Sequence, residues 1–281
     1  MNKCIPIVFF LLICAFGYMH AQNLTYPDSV SVQSGKLTLK ALLWRPFGQG
    51  PFPTLIFTLG SYAGSDTTND PVKDASGLGP LFAKRGYIFL VFFRRGVGLS
   101  KGEGLNSADL MENAFKLNGQ EGRNEVQLQQ LETDQLQDML AGLAYLRKRP
   151  DVNIQRMAIL GHSFGGSLTL LVAEHEPELK AVVIFAGAGY SWNLSPALRS
   201  RLISAVKSIT SPVMIIHAQN DYSITPGYAL DSVMNGLNKP HELKIYPRFG
   251  NSSNEGHNII FRNIESWQAD VFEFLNENLK R

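Results

Sequence analysis

The sequence has very little cysteine. Only two of its 281 residues are cysteines, Cys4 and Cys14, and both lie close to the N-terminus. A mature protein without this N-terminal stretch would therefore contain no disulfide, no thiolate metal site and no cysteine nucleophile. A catalytic nucleophile, if there is one, has to be sought among the other residue types.

Charged residues are also scarce, and their signs nearly balance. They make up 18% of the chain, with a formal net charge of +2, which is too small to indicate a nucleic-acid partner. The one dense basic group, Arg147 to Arg149, falls where a helix is predicted to end, so we interpret it as favouring the helix dipole rather than as a binding patch. Metal-ligand spacings and phosphate-binding loops are absent from the sequence, and we expect no metal and no cofactor.

The N-terminus has the pattern of an export signal. Lys3 precedes an apolar run from Ile5 to about Tyr18, and small and polar residues follow this run. Such a pattern is typical of a signal peptide that is cleaved, and we place the cleavage after Ala21. The sequence therefore predicts a signal peptide over residues 1–21 and a mature protein that is periplasmic or secreted.

Two membrane-bound alternatives compete with this interpretation. A helical anchor needs roughly 18 apolar residues or more, and the N-terminal run is shorter. A lipid attached to Cys14 would require a small residue where Ile13 stands. We therefore expect no stable membrane anchor.

Apolar runs alternate with longer amphipathic stretches from residue 22 to residue 281. The full sequence has 44% hydrophobic residues, enough for a sizeable core, and the alternation predicts parallel strands joined by helices. Most of the runs are continuously apolar, as in strands that are covered on both faces. We predict one α/β domain over residues 22–281, with a mostly parallel central sheet covered by helices on both faces. The predicted strands are residues 36–46, 54–60, 87–94, 157–162, 181–187, 212–218 and 241–247.

Helices are predicted between these strands, and long loops at their ends. The longest helix covers residues 125–149 and ends before Pro150. Stretches rich in Gly, Ser, Asn and Asp predict loops over residues 61–77, 96–124 and 247–258. The other predicted helices are residues 78–84, 163–175, 195–209, 226–237 and 259–279.

The segment "LGHSFGGS" places Ser163 between Gly161 and Gly165. A strand is predicted before the serine and a helix after it, which is the context of a nucleophile elbow. The glycines fit this turn, because its backbone is strained and the neighbouring chain passes too close for a side chain. We therefore predict that Ser163 is a nucleophile. His162 points in a different direction, and we expect it to have a packing or orienting role.

A serine nucleophile requires a histidine base. Of the four histidines that follow Ser163, His175 lies along a helix, His217 lies inside a strand and His241 begins a strand at the opposite edge of the sheet. His257 lies in the loop between the last strand and the last helix, at the same edge as the serine. We predict that His257 is the base; the alternative is that it only caps the final helix.

The base in turn requires a carboxylate that orients it. Asp221 lies just past the end of the buried strand "PVMIIHA" and is the preferred candidate. Asp231 lies about one turn into the next helix and is the second choice. The alternative for Asp221 is a purely structural role at a turn or a helix start.

The developing charge on a substrate carbonyl needs fixed donors, which form an oxyanion hole. One predicted donor is the amide of Phe164, the residue after the nucleophile. The other is expected from the loop after "TLIFTLG", at Ser61 or Tyr62. Tyr62 has two further possible roles, which are to offer its hydroxyl group or to shape the pocket.

The segments around these residues resemble the α/β-hydrolase fold and, within it, the dienelactone hydrolase-like family. The resemblance spans nearly the whole mature chain and is carried by "FFRRGVGLSKGEG", "GHSFGGSLTLL", "IFAGAGYSW", "HAQNDYSITP" and "IYPRFGNSSNEGH". Dienelactone hydrolase itself has a cysteine nucleophile where this sequence has Ser163. The resemblance therefore implies a serine ester hydrolase rather than the lactone reaction.

The sequence thus predicts an exported serine hydrolase, a carboxylesterase that acts on small soluble esters through an acyl-enzyme. It would use the triad Ser163, Asp221 and His257. Two alternatives remain open: a serine peptidase of the prolyl-oligopeptidase-like type, and a non-catalytic binding protein that keeps the fold.

Arg94 and Arg95 follow a buried strand and enter a glycine-rich loop at the predicted active edge. Either could hold a substrate carboxylate through a two-pronged hydrogen bond, and both are candidate substrate-binding residues. The alternative is a pairing with a loop carboxylate such as Glu103 or Asp109.

Trp192 is a third candidate for substrate binding. It lies in the segment 190–209, which contains further apolar residues. This segment forms either a short lid over the pocket or an ordinary crossover helix. It is too short for the broad apolar lid of a lipase that acts on oil droplets, which favours small soluble esters.

Overall fold

A computed structural model of the protein describes residues 26–64 and 70–279, so the predicted signal peptide over residues 1–21 lies outside the described residues. Eight strands in the described part of the chain form one sheet. They are β1 (Asp28–Ser34), β2 (Leu37–Trp44), β3 (Phe52–Thr58), β4 (Ile88–Phe93), β5 (Val152–His162), β6 (Ala181–Phe185), β7 (Val213–Ala218) and β8 (His241–Tyr246).

The sheet is mostly parallel, as predicted. Its strand order is β1-β2-β4-β3-β5-β6-β7-β8. The pairs β1/β2 and β2/β4 are antiparallel, and all pairs from β4 to β8 are parallel. The carboxyl ends of β3 to β8 therefore meet at one edge, which is where ligands bind in open parallel sheets.

Helices cover both faces of this sheet. They are α1 (Pro71–Lys84), α2 (Ser107–Glu132), α3 (Asp134–Arg147), α4 (Phe164–His175), α5 (Pro196–Ser208), α6 (Thr225–Gly236), α7 (Ser253–His257), α8 (Ile259–Arg262) and α9 (Ile264–Leu279). Helices α2 to α6 contribute to one apolar cluster, and α1, α8 and α9 contribute to a second. The predicted α/β architecture with two covered faces is confirmed.

The central strands are buried throughout. Every residue of β4, β6 and β7 is buried, which agrees with their continuously apolar sequences. Each large apolar side chain removed from water in this way contributes about 1.5–3 kcal/mol to folding. The sheet is thus a rigid frame for the loops at its carboxyl edge.

Strand β1 was not predicted. Its sequence, DSVSVQS, alternates polar and apolar residues, and most of its residues are exposed or only half-buried. The strand lies at the edge of the sheet and pairs only with β2 within the described residues. An edge strand needs few apolar residues, and for this reason its sequence signal is weak.

The largest difference from the sequence prediction is in α2. The prediction of a loop over residues 96–124 was wrong for its second half, because α2 begins at Ser107, where the side chain of Asn106 caps it by accepting from the amides of Ala108 and Asp109. Gly119 interrupts α2 with a φ of 64°. The predicted helix 125–149 is divided at Thr133, between α2 and α3.

No helix among residues 26–64 and 70–279 has the length and apolar character needed to cross a membrane.

Candidate active site

Ser163 occupies the sharp turn between β5 and α4. Its φ of 56° lies in the left-handed region, and its amide donates to the carbonyl of Phe185 at 2.8 Å. A Cβ atom on Gly165 would lie 2.3 Å from the carbonyl oxygen of Thr58, and one on Gly161 would lie 2.4 Å from the carbonyl oxygen of Gly165. The close approach expected from the sequence therefore explains both glycines.

Ser163, His257 and Asp221 form one chain of hydrogen bonds. Nε2 of His257 lies 2.8 Å from Oγ of Ser163, and Nδ1 of His257 lies 2.6 Å from Oδ1 of Asp221. An ionised carboxylate can only accept, so Nδ1 carries the hydrogen and Nε2 is free to accept from the serine hydroxyl. The structure brings the predicted nucleophile, base and acid together, and this geometry is suited to deprotonating the serine.

Asp221 accepts more hydrogen bonds than the one from His257. Its Oδ2 accepts from Nδ1 of His217 at 2.7 Å, and its Oδ1 also accepts from the amide of Tyr222 at 2.6 Å. Burial alone would raise the pKa of Asp221, but the hydrogen bonds from His217 and His257 outweigh it and lower the pKa to about 2. The carboxylate therefore stays ionised at neutral pH. His217, which lies next to the end of β7, contacts the acid rather than the serine.

His162 contacts the main chain of the base. Its Nε2 donates to the carbonyl oxygen of His257 at 2.9 Å, and the two rings lie 5.0 Å apart. Burial, followed by the nearby His257, lowers the pKa of His162 to about 3. The ring is therefore neutral at physiological pH and holds the segment that carries His257, which agrees with an orienting role.

A cavity of about 250 Å³ opens beside Ser163. One wall is aromatic: the ring of Tyr222 lies 4.9 Å from that of His257 and 5.5 Å from that of Tyr190. Arg123 is the one arginine or lysine among the residues that line the cavity. The sequence prediction did not name the following lining residues: Asp74, Met111, Arg123, Gln127, Tyr190, Ser191, Tyr222, Asn254 and Asn258.

The predicted oxyanion-hole residues border the same cavity. Phe164 begins α4 directly after Ser163, and Ser61 and Tyr62 follow β3. A Cβ atom on Gly60 would lie 3.2 Å from Cβ of Ser163, so the loop after β3 lies directly beside the serine. The hydroxyl of Tyr62 donates to Oδ2 of Asp74 at 2.7 Å, and burial raises the pKa of Tyr62. This hydroxyl already donates to Asp74. The main-chain amides of Ser61 and Tyr62 are therefore the better candidates to donate to a substrate oxyanion.

The structure corrects the expectation that Arg94 holds a substrate carboxylate. The side chain of Arg94 is 1% exposed and does not line the cavity. Its Nη2 donates to the carbonyl oxygens of Leu59 and Gly60 at 2.8 and 2.9 Å. These carbonyls, which follow β3, keep the guanidinium inside the protein.

Arg95 is also held by the protein, but by partners other than those expected. Its Nε and Nη2 donate to Asp138 at 2.9 and 2.7 Å, and its Nη1 lies 2.6 Å from Asp134. Both acids belong to α3, whereas the expected partners Glu103 and Asp109 lie before α2 and in its first turn. Arg95 is therefore a structural ion-pair residue and not a substrate-binding one.

Trp192 is a core residue in this structure. It is 1% exposed and packs in the apolar cluster formed with α2 to α6, which corrects its expected contact with substrate. Its neighbours Tyr190 and Ser191 line the cavity instead, and Ser191 accepts from Nε2 of Gln127 at 2.9 Å. The rest of the segment 190–209 is mostly α5, which packs as a crossover helix and does not form a lid.

A family model of the dienelactone hydrolase family matches residues 77–279 of the chain. The chain belongs to this family. It is therefore a hydrolase of the α/β-hydrolase class, with the site described above at the carboxyl edge of its sheet. Among the described residues, no group of His, Cys, Asp or Glu side chains is arranged to hold a metal ion.

Known relatives and solved structures are consistent with this class. Cutinase est2 of Thermobifida alba is 28% identical over 133 residues, which cover 47% of this chain and 40% of the cutinase. The acylaminoacyl peptidase of Pyrococcus horikoshii superposes with a TM-score of 0.64 at 18% identity, over 92% of this chain and 42% of the peptidase. An esterase of Pyrococcus furiosus gives a TM-score of 0.63 at 16% identity, over 91% of this chain and 92% of the esterase.

Both the cutinase and the peptidase are longer proteins, and this chain spans about two fifths of the length of each. At the identities of the two solved structures, the similarity shows a shared fold and nothing finer. The substrate has to be argued from the site itself.

Proposed function

We propose that this hydrolase is a serine carboxylesterase that cleaves small soluble esters through an acyl-enzyme. The observation that carries the proposal is the hydrogen-bonded chain from Ser163 through His257 to Asp221. Ser163 and His257 line one cavity, and Asp221 contacts His257 from outside that lining.

In the acylation step, Oγ of Ser163 attacks the ester carbonyl while Nε2 of His257 takes the hydroxyl proton. The carbonyl oxygen becomes an oxyanion, which accepts hydrogen bonds from the amide of Phe164 and from an amide of the loop after β3. When the intermediate collapses, the bond to the alcohol oxygen breaks and His257 gives its proton to that oxygen. The products are an alcohol and an acyl-Ser163.

Water completes the reaction in the deacylation step. His257 takes a proton from the water, whose oxygen attacks the acyl carbon. The bond between the acyl carbon and Oγ then breaks, and the proton returns from His257 to Ser163. Asp221, which stays ionised because its pKa is about 2, stabilises the positive charge that His257 carries in both steps.

The preference for small esters follows from the cavity. Its volume of about 250 Å³ is below the roughly 300–1,000 Å³ of typical ligand pockets. The similarity to a cutinase and to an esterase fits ester hydrolysis. Peptidase activity is the second candidate, favoured by the shared fold of the acylaminoacyl peptidase.

The test is labelling with a fluorophosphonate probe, followed by hydrolysis of 4-nitrophenyl acetate. We expect the native protein to be labelled and active, and Ser163→Ala to be neither. Ser167→Ala, which removes a buried serine hydroxyl one turn along α4, should still be labelled. Equal labelling of native and Ser163→Ala protein would contradict the proposal and would favour a binding protein with this fold.

A peptide anilide offered beside the ester separates the two enzyme classes. We expect kcat/KM for the ester to exceed that for the anilide by about a hundredfold or more, an excess that corresponds to roughly 2.7 kcal/mol in transition-state free energy. Comparable values for the two substrates would favour the peptidase.

We extend the proposal to export, on the basis of the predicted signal peptide over residues 1–21. N-terminal sequencing of the protein recovered from the periplasm or the medium should begin at Gln22. Recovery of a protein that still begins at Met1 would contradict it.

A further inference from the structure

Arg94 is the first residue after β4, and the topology brings it to the end of β3. The two strands are parallel neighbours, with Thr58 of β3 in register with Phe92 of β4. Residues that follow them therefore leave the sheet side by side at the carboxyl edge. This is why Nη2 of Arg94 reaches the carbonyl oxygens of Leu59 and Gly60 at 2.8 and 2.9 Å.

The carbonyl of Gly60 and the amide of Ser61 belong to the same peptide unit. In a trans peptide the C=O and N–H bonds point in opposite directions. A guanidinium that fixes the Gly60 carbonyl towards the protein interior therefore turns the Ser61 N–H away from itself. Ser61 borders the cavity together with Ser163, so an amide turned away from Arg94 is consistent with a donor that faces the substrate carbonyl.

The same guanidinium contacts the residue that carries the other expected donor. Cζ of Arg94 lies 5.0 Å from the centre of the Phe164 ring, and Phe164 is 4% exposed. Cation–π contacts of this kind are strengthened when both groups are out of water. One side chain thus bridges the loop after β3 and the start of α4.

Arg94 forms no salt bridge in the described part of the chain, and the acid that acts on its charge, Asp138, is bound directly by Arg95. Nε and Nη1 of Arg94 have no hydrogen-bond acceptor among those residues. Burial lowers the pKa of Arg94 to about 10, which still leaves it protonated at neutral pH. Its neighbour Arg95, in contrast, is paired with two carboxylates. A buried cation without a salt bridge is costly, which points to a role beyond packing.

We propose that Arg94 is a positioning residue of the oxyanion hole, which fixes the amide of Ser61 as the second donor and braces Phe164, the first. This inference rests on the proposed function. It also chooses between Ser61 and Tyr62, because the hydrogen bond from Arg94 falls on the peptide unit of Ser61. A hydrogen bond to the carbonyl further polarises that peptide unit, which strengthens its N–H as a donor.

The test compares two arginines of the same loop. Arg94→Lys keeps the charge but lacks the planar fork, and Arg94→Met removes the charge. Arg95→Lys is the matched control, since it weakens a buried ion pair away from the cavity. For each variant, kcat and KM are measured for 4-nitrophenyl acetate, and the inhibition constant is measured for a trifluoromethyl ketone. Active sites are counted by complete fluorophosphonate labelling, so that kcat refers to active protein only.

We expect Arg94→Lys and Arg94→Met to lower kcat by about tenfold to a hundredfold with little change in KM. Binding of the trifluoromethyl ketone, whose adduct carries an oxyanion, should weaken by a similar factor. Arg95→Lys should lower the melting temperature and leave both quantities per active site unchanged. A purely structural Arg94 would reduce only the number of labelled sites, and that result would overturn the inference.

Phe164→Leu provides a second route if the Arg94 variants do not fold. It removes the ring under the guanidinium but keeps the amide of residue 164, and we expect a loss of kcat and of ketone affinity in the same direction. Unchanged values would overturn the inference. A native protein that neither hydrolyses the ester nor reacts through Ser163 would overturn the proposed function, and this inference with it.

Discussion

His217 donates a hydrogen bond from Nδ1 to Oδ2 of Asp221 at 2.7 Å, and both side chains are fully buried. The other carboxylate oxygen contacts His257, so the two histidines hold the carboxylate from opposite sides. His217 is the penultimate residue of β7, a strand that is buried throughout. Through it, the sheet fixes the direction in which Asp221 faces the base.

Replacing His217 should therefore lower activity without touching the reacting atoms. His217→Phe removes the donor, and the loss of one hydrogen bond to a buried carboxylate, about 1.5–3 kcal/mol, corresponds to a tenfold or greater decrease in kcat/KM. His217→Asn keeps an N–H near the position of Nδ1 and should retain most of the activity. The activity of both variants is measured by ester hydrolysis at pH 8. Equal activity of the Phe and Asn variants would show that the hydrogen bond from residue 217 to Asp221 does not support catalysis.

The triad could be predicted because it follows from strand order alone. Continuously apolar runs identify buried parallel strands, and the residues after such strands meet at one edge of the sheet. Ser163 comes directly after β5 and Asp221 three residues after β7, so their proximity did not depend on details of packing. The same reasoning excluded His241, which begins β8 at the opposite edge.

The walls of the cavity could not be predicted in this way. Most of α2 is polar, and it buries few apolar side chains, so its helical period is weak and the prediction of a loop was wrong. As a result, Met111, Arg123 and Gln127 were missed. The sequence does contain a helix-start signal for α1, since Asp70 is its N-cap and Pro71 lies in its first turn. The start of that helix was nevertheless predicted at residue 78.

The directions of the Arg94 and Arg95 side chains could not be predicted from the sequence either. A sequence places Arg94 and Arg95 at the active edge, but it does not show which backbone carbonyls or acids lie beside them. The carbonyls after β3 and the carboxylates of α3 come from distant parts of the chain. Their positions depend on packing between elements, which local patterns do not contain.

His162 should make the stability of the protein depend on pH. Its pKa is lowered from 6.5 to about 3 on folding, so between these values the unfolded state binds a proton that the folded state does not. The free energy of unfolding should therefore be highest above pH 6.5 and should fall as the pH decreases towards 3, by up to about 1.4 kcal/mol per pH unit from this group.

Urea unfolding at several pH values measures this dependence. His162→Gln keeps an N–H that can donate to the carbonyl of His257 but cannot titrate in this range, and its pH slope should be smaller by that amount. His175→Gln, which removes a histidine outside the cavity, is the control. A His162→Gln slope equal to that of the native protein would show that the buried ring is not the source.

Arg123 should affect which esters are preferred. Its guanidinium lies 5.6 Å from the centre of the Tyr190 ring, and its partner Glu112 is 3.8 Å away and half-exposed. An ion pair of this length is weak, so a substrate carboxylate in the cavity can compete for the cation. Arg123→Gln should reduce the preference for the 4-nitrophenyl monoester of glutaric acid over 4-nitrophenyl acetate by about tenfold in kcat/KM.

Glu112→Gln removes the competing carboxylate and should change the same ratio in the opposite direction. Raising the salt concentration should reduce the preference of the native protein, because the charge of the partly exposed Arg123 is screened. If the ratio of the two esters is the same in all three proteins, Arg123 does not contact the acyl group.

Gly165 should be intolerant of any side chain, because α4 begins in contact with the end of β3. A Cβ atom there would lie 2.3 and 2.4 Å from the carbonyl oxygens of Thr58 and Leu59, which are backbone atoms and cannot rotate away. Gly165→Ala should therefore push the start of α4 off the sheet, at a cost of about 1–3 kcal/mol in stability.

The same displacement should move the amide of Phe164 away from the substrate carbonyl, and a shift of about 1 Å is enough to lower kcat by roughly a hundredfold. Gly77→Ala is the matched control, because this glycine is exposed inside α1 and nothing lies within 4 Å of the added Cβ atom. Alanine at this position should raise the stability by about 0.5–1 kcal/mol. Thermal unfolding and ester hydrolysis of the two variants measure both effects. A Gly165→Ala protein as stable and as active as the native one would show that α4 does not pack closely against the end of β3. In that case β3 does not position the amide of Phe164.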